Sequence, residues 1–336
     1  MLKLFYDTDL TPRNSFHVRQ RAAMLAEFTA TDDLRELFAR EHPAQWMVLG
    51  GGNNILFTRD FDGLLVVPRS NATEIVGEDR EAVYVRAEAG VLWDDLVEWT
   101  VERGLWGLEN LSLIPSTVGA APVQNIGAYG AEACDTVTEV EMFCPETMNT
   151  LTLAAEHCAF GYRESVFKHS LRGRAIITAV KFRLPKSPQP NVAYGDLQRE
   201  TEARGGATLR NIRDAVCAIR RSKLPDTAVL GNAGSFFKNP IVGRTTAERL
   251  REQYPEMPLY PAADPDCMKL AAGWLIDRAG MKGFTEGCVG VHDRQALVLV
   301  NRGGATGSEV LALARKVQQR VRDMFGVEIE TEVNIL

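Results

Sequence analysis

Trp46-Met-Val-Leu-Gly-Gly-Gly-Asn-Asn-Ile-Leu-Phe57 reads as an apolar strand, a turn of glycine and asparagine, and a second apolar strand. The contiguous Gly50, Gly51 and Gly52 let backbone approach an anion closely, and their successive amides can form a nest for a pyrophosphate. The plainer alternative is a tight turn between strands, because Gly and Asn are the usual occupants of left-handed positions. The GxGxxG dinucleotide fingerprint is excluded, since these glycines are contiguous and no helix follows. Upstream, residues 31–42 predict a short helix with Thr31 as N-cap and Asp32 and Asp33 at its positive end. Leu34, Leu37 and Phe38 share its apolar face, and Pro43 stops it. Helix, strand and glycine turn in this order make an α/β unit.

Beyond it the texture turns to strands at 64–68, 82–90, 137–143 and 175–184, with an amphipathic helix at 92–103 ended by Gly104. These make a separate α+β domain, and the Pro-rich segment 186–191 is a connector. A helix at 211–223 carries Arg213, Arg220, Arg221 and Lys223; such a run is commonly a solvated face, though it would also attract a diphosphate. Helices are predicted at 244–254, 266–279 and 307–325, and a strand at 296–301. The closing alternation 327–336 predicts a strand that returns to the N-terminal unit. The division expected is 1–70 with 326–336, then 71–222, then 223–325.

The 336 residues suffice for two or three domains. With 45% hydrophobic and 24% charged residues the chain is globular, which excludes disorder and coiled coil. No apolar run reaches the 18 or so residues of a membrane span, and the first residues are too soon charged for a secretory signal. A net charge of −6 argues against a general nucleic-acid binder, yet leaves room for a local basic pocket. The six cysteines form no CxxC pair and are expected as reduced thiols; the five histidines show no ligand spacing, so no metal is expected.

Four further segments carry chemistry. Residues 111–130, Leu-Ser-Leu-Ile-Pro-Ser-Thr-Val-Gly-Ala-Ala-Pro-Val-Gln-Asn-Ile-Gly-Ala-Tyr-Gly, are small and nearly uncharged, so backbone can lie against a flat ligand. A packed loop without ligand is the alternative, but so long a loop inside a domain favours function. Phe160-Gly-Tyr-Arg-Glu-Ser165 offers Tyr162 and Arg163 to a carboxylate, for which a guanidinium fork is suited, although such an Arg is more often a surface ion-pair partner. In Gly231-Asn-Ala-Gly-Ser-Phe-Phe-Lys-Asn-Pro240, Ser235 lies before two aromatics, is not the GxSxG elbow and has no obvious histidine partner, so hydrolase chemistry is disfavoured; the plainer alternative is a hairpin or loop packed by Phe236 and Phe237. Glu328, Glu330 and Glu332 alternate onto one strand face, most often just a solvated edge.

Taken in order, LIPSTVGAAPVQNIGAYG (113–130), FGYRESVFK (160–168), SKLPD (222–226), GNAGSFFKNP (231–240), KLAAGWLID (269–277) and TEVNIL (331–336) resemble the UDP-N-acetylenolpyruvoylglucosamine reductase family. The likeness runs from Asn14 to the last strand, and residues 257–262 and 194–197 resemble the longer of the family's two types, with an added substrate loop. The resemblance implies an α+β fold: a two-part FAD-binding region of the vanillyl-alcohol-oxidase-like type, plus a C-terminal α/β substrate-binding domain. It implies a cytoplasmic, monomeric enzyme of peptidoglycan precursor synthesis that reduces UDP-N-acetylglucosamine enolpyruvate to UDP-N-acetylmuramate. FAD would be held non-covalently and NADPH would be the reductant, with a UDP-sugar as the only partner and no nucleic acid or membrane.

By the same resemblance the catalytic residues are Arg163, Ser235 and Glu332. Arg163 and Glu332 would polarise the substrate carboxylate and Ser235 would give a proton to carbon. FAD would be wrapped by Gly50, Gly51, Gly52, Asn53, Asn54 and Ile55, and by Ser116, Thr117, Gly119, Ala120, Gln124, Asn125, Gly127 and Ala128. Tyr162, Tyr194, Lys223, Asn239, Tyr260 and Gln295 would hold the substrate. Gly51 and Asn53 stand where many relatives have an acidic residue and a serine, and Ser116-Thr117 stands in place of the more usual pair of a glycine and a small residue, so altered contacts to FAD are expected without its loss. Two rivals remain at this stage: an FAD-linked oxidase of an alcohol or sugar lactone, and a nucleotide-sugar binder without chemistry. The first often ties FAD to a histidine, and none lies in 50–54 or 113–130.

Overall fold

Strands Ala82–Glu88 and Ile176–Pro185 bury alternate side chains and pair antiparallel, from Ala179 opposite Glu88 to Pro185 opposite Ala82. They are central in a five-stranded sheet ordered 149–154, 137–144, 176–185, 82–88, 73–78. Helices Trp93–Glu102 and Leu209–Lys223 bring Trp93, Leu96, Val97, Ile212 and Val216 into the same apolar cluster as Val85, Val140 and Phe182. Trp93 meets Phe182 edge-on at 5.9 Å and donates its indole N–H to the Leu111 carbonyl at 3.0 Å.

The computed structural model describes residues 1–336, which sort into two units. The first comprises Met1–Thr8, Ala22–Gly51 and Asp62–Ser222; the second comprises Asp9–Arg21, Gly52–Phe61 and Lys223–Leu336. Besides the five-stranded sheet, the first holds a sheet ordered 3–9, 21–28, 61–68, 46–48, whose last pair is parallel. The apolar run 64–68, read above with the strands that follow it, therefore lies beside 46–48. Helix Thr31–Arg40 closes this part, burying Leu34, Leu37 and Phe38 with Phe143 and Ile176. Its N-cap is Ala30, not Thr31; the Asp33 carboxylate reaches back to accept the amides of Thr29 (2.8 Å) and Ala30 (3.2 Å), while the Asp33 amide itself donates to the Ala30 carbonyl (3.1 Å).

The second unit has an antiparallel sheet ordered 231–235, 298–301, 289–291, 285–286. Helix Gly307–Phe325 buries Val310, Leu313, Val317, Val321 and Phe325; a Thr306–Glu309 capping box starts it and left-handed Gly326 (φ 68°) ends it. The segment predicted as one helix over 266–279 is instead strand Cys267–Leu270 and helix Ala272–Arg278. The strand pairs on both edges, with 241–243 and 259–261, and that pairing outweighs helical propensity. At the C-terminus only Asn334–Ile335 is a strand, paired in parallel with Ile55–Leu56, and the Thr58 amide donates to the Leu336 carbonyl at 2.7 Å. No helix is long and apolar enough to cross a membrane.

Candidate functional site

In the first unit the loop 113–130 lies against 89–93. The amides of Val118 and Gly119 donate to the carbonyls of Val91 and Ala89, both at 2.9 Å, and Leu92 bridges Thr117. Gly119 is required there, since a Cβ would stand 2.6 Å from that of Ala89. Gly50 faces the same loop, where a Cβ would lie 2.9 Å from Thr117 Oγ1 and 3.3 Å from Ala120 Cβ. Thr117 is buried and its hydroxyl has no hydrogen-bond partner. An orphaned hydroxyl facing a glycine backbone makes a narrow cradle with an unused polar atom, which suits a phosphate or flavin edge. Ser116 directs its own hydroxyl at the Thr117 carbonyl (3.3 Å).

Charged side chains fix the beginning of the loop. Leu113 is left-handed (φ 58°), and its amide donates to Asp94 Oδ1 at 2.5 Å. Asp94 also accepts from Arg213 at 2.7 and 3.1 Å, and Arg213 Nε donates to Glu98. Burial raises the Asp94 carboxyl's pKa, but Arg213 and the Leu113 amide outweigh it and the net shift is downward. Arg213, read above with the basic helix face, is thus a buried partner of Asp94 and Glu98 and not available to a diphosphate. Arg220, two turns on, donates Nε to the Leu113 carbonyl at 3.2 Å beside Tyr129, and burial lowers its pKa. Arg221 and Lys223 are exposed. The seven-residue spacing of Arg213 and Arg220 was the available sign that both face inward.

The end of the loop is a knot of hydrogen bonds. Asn125, wholly buried and left-handed (φ 46°), donates Nδ2 to Glu132 Oε2 (2.8 Å) and the Gly161 carbonyl (3.1 Å) and accepts from the Cys134 amide (3.0 Å). Its amide is committed to protein. Gly127–Ala128 pairs with Ala131–Glu132, and half-buried Gln124 precedes them. Arg163 joins this knot: Nη2 donates to the Gly127 carbonyl at 2.6 Å and Nη1 to the Asn125 carbonyl at 3.4 Å, with the guanidinium 5.2 Å from the Tyr162 ring centre. Tyr194 is exposed and meets Tyr129 edge-on at 6.1 Å. The six cysteines are free thiols; burial pushes Cys134 up and Cys158 up to about 11, so neither is a ready nucleophile.

In the second unit, Gly52 (φ 67°) gives its carbonyl to the Ser15 amide (3.0 Å), and a Cβ there would lie 2.0 Å from the Arg13 carbonyl oxygen. Asn53 and Asn54 follow it, Asn54 Nδ2 reaches the Glu332 carbonyl (3.3 Å), and Ile55 pairs with Asn334. Ser235 ends its strand opposite Val298, half-buried. The next carbonyl, Phe236, accepts the Glu332 amide at 2.8 Å, and Phe237 bridges Thr331. Ser235 and Glu332, 97 residues apart in the chain, are therefore brought together in this unit. The three C-terminal glutamates are not one strand face: Glu328 pairs with Arg322, Glu330 with Lys238 (3.3 Å), and Glu332 alone is half-buried.

The residues expected to hold substrate spread over the second unit, Tyr162 and Tyr194 apart. Asn239 Oδ1 accepts the Ala272 amide (2.9 Å) at the start of helix 272–278, fixing the side chain. Gln295 Oε1 faces Gly273 of that helix, where a Cβ would stand 3.3 Å away. Tyr260 is on strand Leu259–Pro261 opposite Lys269, and Lys223 is exposed at the end of its helix.

Residues 225–336 match the family model described as UDP-N-acetylenolpyruvoylglucosamine reductase, C-terminal domain, and residues 22–148 match an FAD binding domain. The chain is 50% identical over 339 residues to a UDP-N-acetylenolpyruvoylglucosamine reductase of Chromobacterium violaceum, covering 98% of each. It is 49% identical over 338 residues to one of Pseudomonas aeruginosa, covering 99% of each. The crystal structure of UDP-N-acetylenolpyruvylglucosamine reductase from Thermus caldophilus shares the fold, with a TM-score of 0.69 at 24% identity over 100% of this chain and 98% of that one.

Proposed function

This chain belongs to the UDP-N-acetylenolpyruvoylglucosamine reductase family, and from that premise we propose that it is an FAD enzyme reducing the enolpyruvyl ether of UDP-N-acetylglucosamine to the lactyl ether of UDP-N-acetylmuramate. The observation that carries the reading is half identity over essentially the whole length, so that flavin-binding and C-terminal regions are both present. The cradle between Gly50 and the orphaned Thr117 hydroxyl fits the cofactor. Residues 1–70 with 326–336 and 71–222 would serve FAD and 223–325 the substrate, in a cytoplasmic monomer.

FAD, when bound and reduced by NADPH, supplies the hydride; the protein supplies position and field. Arg163 holds the substrate carboxylate, where negative charge grows as hydride adds to the adjacent olefin. A guanidinium fixed by the Gly127 and Asn125 carbonyls needs no reorganisation as that charge develops. Glu332 shares a proton with the same carboxylate. The Ser235 hydroxyl delivers a proton to carbon from one face and sets the stereochemistry; geometry matters more than acidity, because the receiving carbon is strongly basic. Tyr162, Tyr194, Lys223, Asn239, Tyr260 and Gln295 bind the nucleotide, diphosphate and sugar.

The test is an absorption spectrum of the purified protein. It is expected to be yellow, to bleach with NADPH, and to recover its colour without oxygen when the enolpyruvyl sugar nucleotide is added. Recovery with an alcohol or lactone would favour an oxidase, and a colourless protein that cannot be loaded with FAD would end the proposal.

A further inference from the structure

Arg163 carries its guanidinium on an unfavourable backbone. Gly161 and Glu164 close a four-residue turn by exchanging both hydrogen bonds, at 3.0 and 3.1 Å. Arg163 is the third residue of that turn, at φ 57°, a place for which Gly or Asn is the ordinary choice. A long side chain held left-handed persists only where its surroundings over-determine it.

Lys168 supplies that determination. Its Nζ donates to the Arg163 main-chain carbonyl at 2.8 Å and is ion-paired to Glu164 at 2.9 Å. Glu164 is held from the other side by His169. Burial raises the Glu164 pKa, but the hydrogen bonds from Lys168 and His169 outweigh it and the carboxylate is favoured. A charge-assisted bond thus pins the carbonyl of the residue whose side chain must point one way. On the far side the guanidinium rests on the Gly127 and Asn125 carbonyls, so Arg163 is clamped at both its backbone and its tip.

We propose that Lys168 is a positioning residue for the reduction: through its bond to the Arg163 carbonyl it holds that left-handed turn and so aims the guanidinium at the substrate carboxylate. The proposal rests on the reading of Arg163 given above. Misplacement of a reacting group by about 1 Å can cost on the order of 100-fold in rate. Loss of one of two clamps is therefore expected to slow the substrate step by about 10-fold, with FAD retention and NADPH bleaching unchanged.

Stopped-flow absorbance of the FAD-loaded Lys168→Met, Lys168→Arg and Arg163→Lys proteins, and of the Lys168→Met/Arg163→Lys double variant, separates the possibilities. Flavin bleaching by NADPH and recolouring by enolpyruvyl sugar nucleotide are timed independently. Expected are slowed recolouring alone in Lys168→Met, recovery of most of the rate in Lys168→Arg, and a double variant no slower than Arg163→Lys within about twofold. If the losses multiply, or if Lys168→Met recolours at the parent rate while Arg163→Lys does not, Lys168 does not act through Arg163 and the proposal is overturned, with the role of Arg163 intact. If Arg163→Lys itself recolours at the parent rate, the reading beneath it fails as well. Should Lys168→Met fail to fold, Lys168→Gln, a shorter donor without charge, takes its place with the same outcomes.

Discussion

Arg163 in the first unit stands on a turn with a left-handed residue and leans on two carbonyls of a loop whose own anchors, Leu113, Asn125 and Tyr129, are left-handed too. Ser235 in the second unit ends a strand whose register slips between Asn232 and Ser235 at left-handed Gly234 (φ 66°), a conformation that glycine takes without steric cost, and its neighbour Phe236 is bonded directly to Glu332. The first arrangement stores strain and needs a surrounding network to hold it. The second rests on sheet pairing, on a glycine that carries the irregular residue, and on the buried Phe236–Phe237 pair, whose rings meet at 5.2 Å. Under the proposed roles, that of Arg163 is open to substitutions several residues away, whereas that of Ser235 is lost chiefly by removing the hydroxyl itself.

The largest effect should come from the second unit. Ser235→Ala is expected to bleach with NADPH at the parent rate and to recolour with substrate about 1,000-fold or more slowly, with its Tm unchanged, since a half-buried hydroxyl leaves little packing behind. Rapid recolouring would take the proton away from Ser235. Arg163→Lys comes next: an ammonium cannot reproduce a fork resting on two carbonyls, so substrate-dependent turnover should fall about 100-fold while FAD affinity stays within about twofold. Equal losses of turnover and FAD would make Arg163 a structural residue and erase the contrast between the units. Gly50→Ala places a methyl against Thr117 Oγ1 and should weaken FAD by about 10-fold in a fluorescence titration, with little change in the recolouring rate once loaded. Unchanged FAD affinity would move the cradle elsewhere.

The smallest effect tests the first unit's network against pH. Glu109 lies almost wholly buried just before the 113–130 loop and accepts the Gly107 amide at 2.7 Å. Burial is the leading cause that raises its pKa, so the folded state binds this proton more tightly than the unfolded chain does. Its contribution to stability is fully present below the unfolded value and is lost as pH rises through the folded one. Glu109→Gln should raise Tm at neutral pH by about 2 °C, and the gain should shrink to nothing in acid. A gain that grew on acidification would reverse the sign assigned to this carboxyl.

Much of the fold could be read from periodicity, and the misreadings share a cause. Helix 307–325 and the strands at 82, 137 and 176 carry long, regular patterns that no neighbour overrides. Residues 267–270 have a helical look, but two flanking strands claim their backbone. The glutamates at 328, 330 and 332 look equivalent until Arg322 and Lys238 take the first two. Arg213 and Arg221 look alike in a basic run, yet one is buried on Asp94 and the other is exposed.

Residue types in ordered blocks were enough for the family and the flavin, and they supplied the groups proposed to react, because chemical identity is a property of the chain. Tertiary structure alone decided that Asn125 is committed to protein and that Arg163 is clamped by Lys168. It also decided that Glu332 is bonded beside Ser235. Such hydrogen bonds depend on where folded backbones meet, across 36 residues for Asn125 and Gly161 and over only five for Lys168 and Arg163, and no pattern of residue types records that meeting.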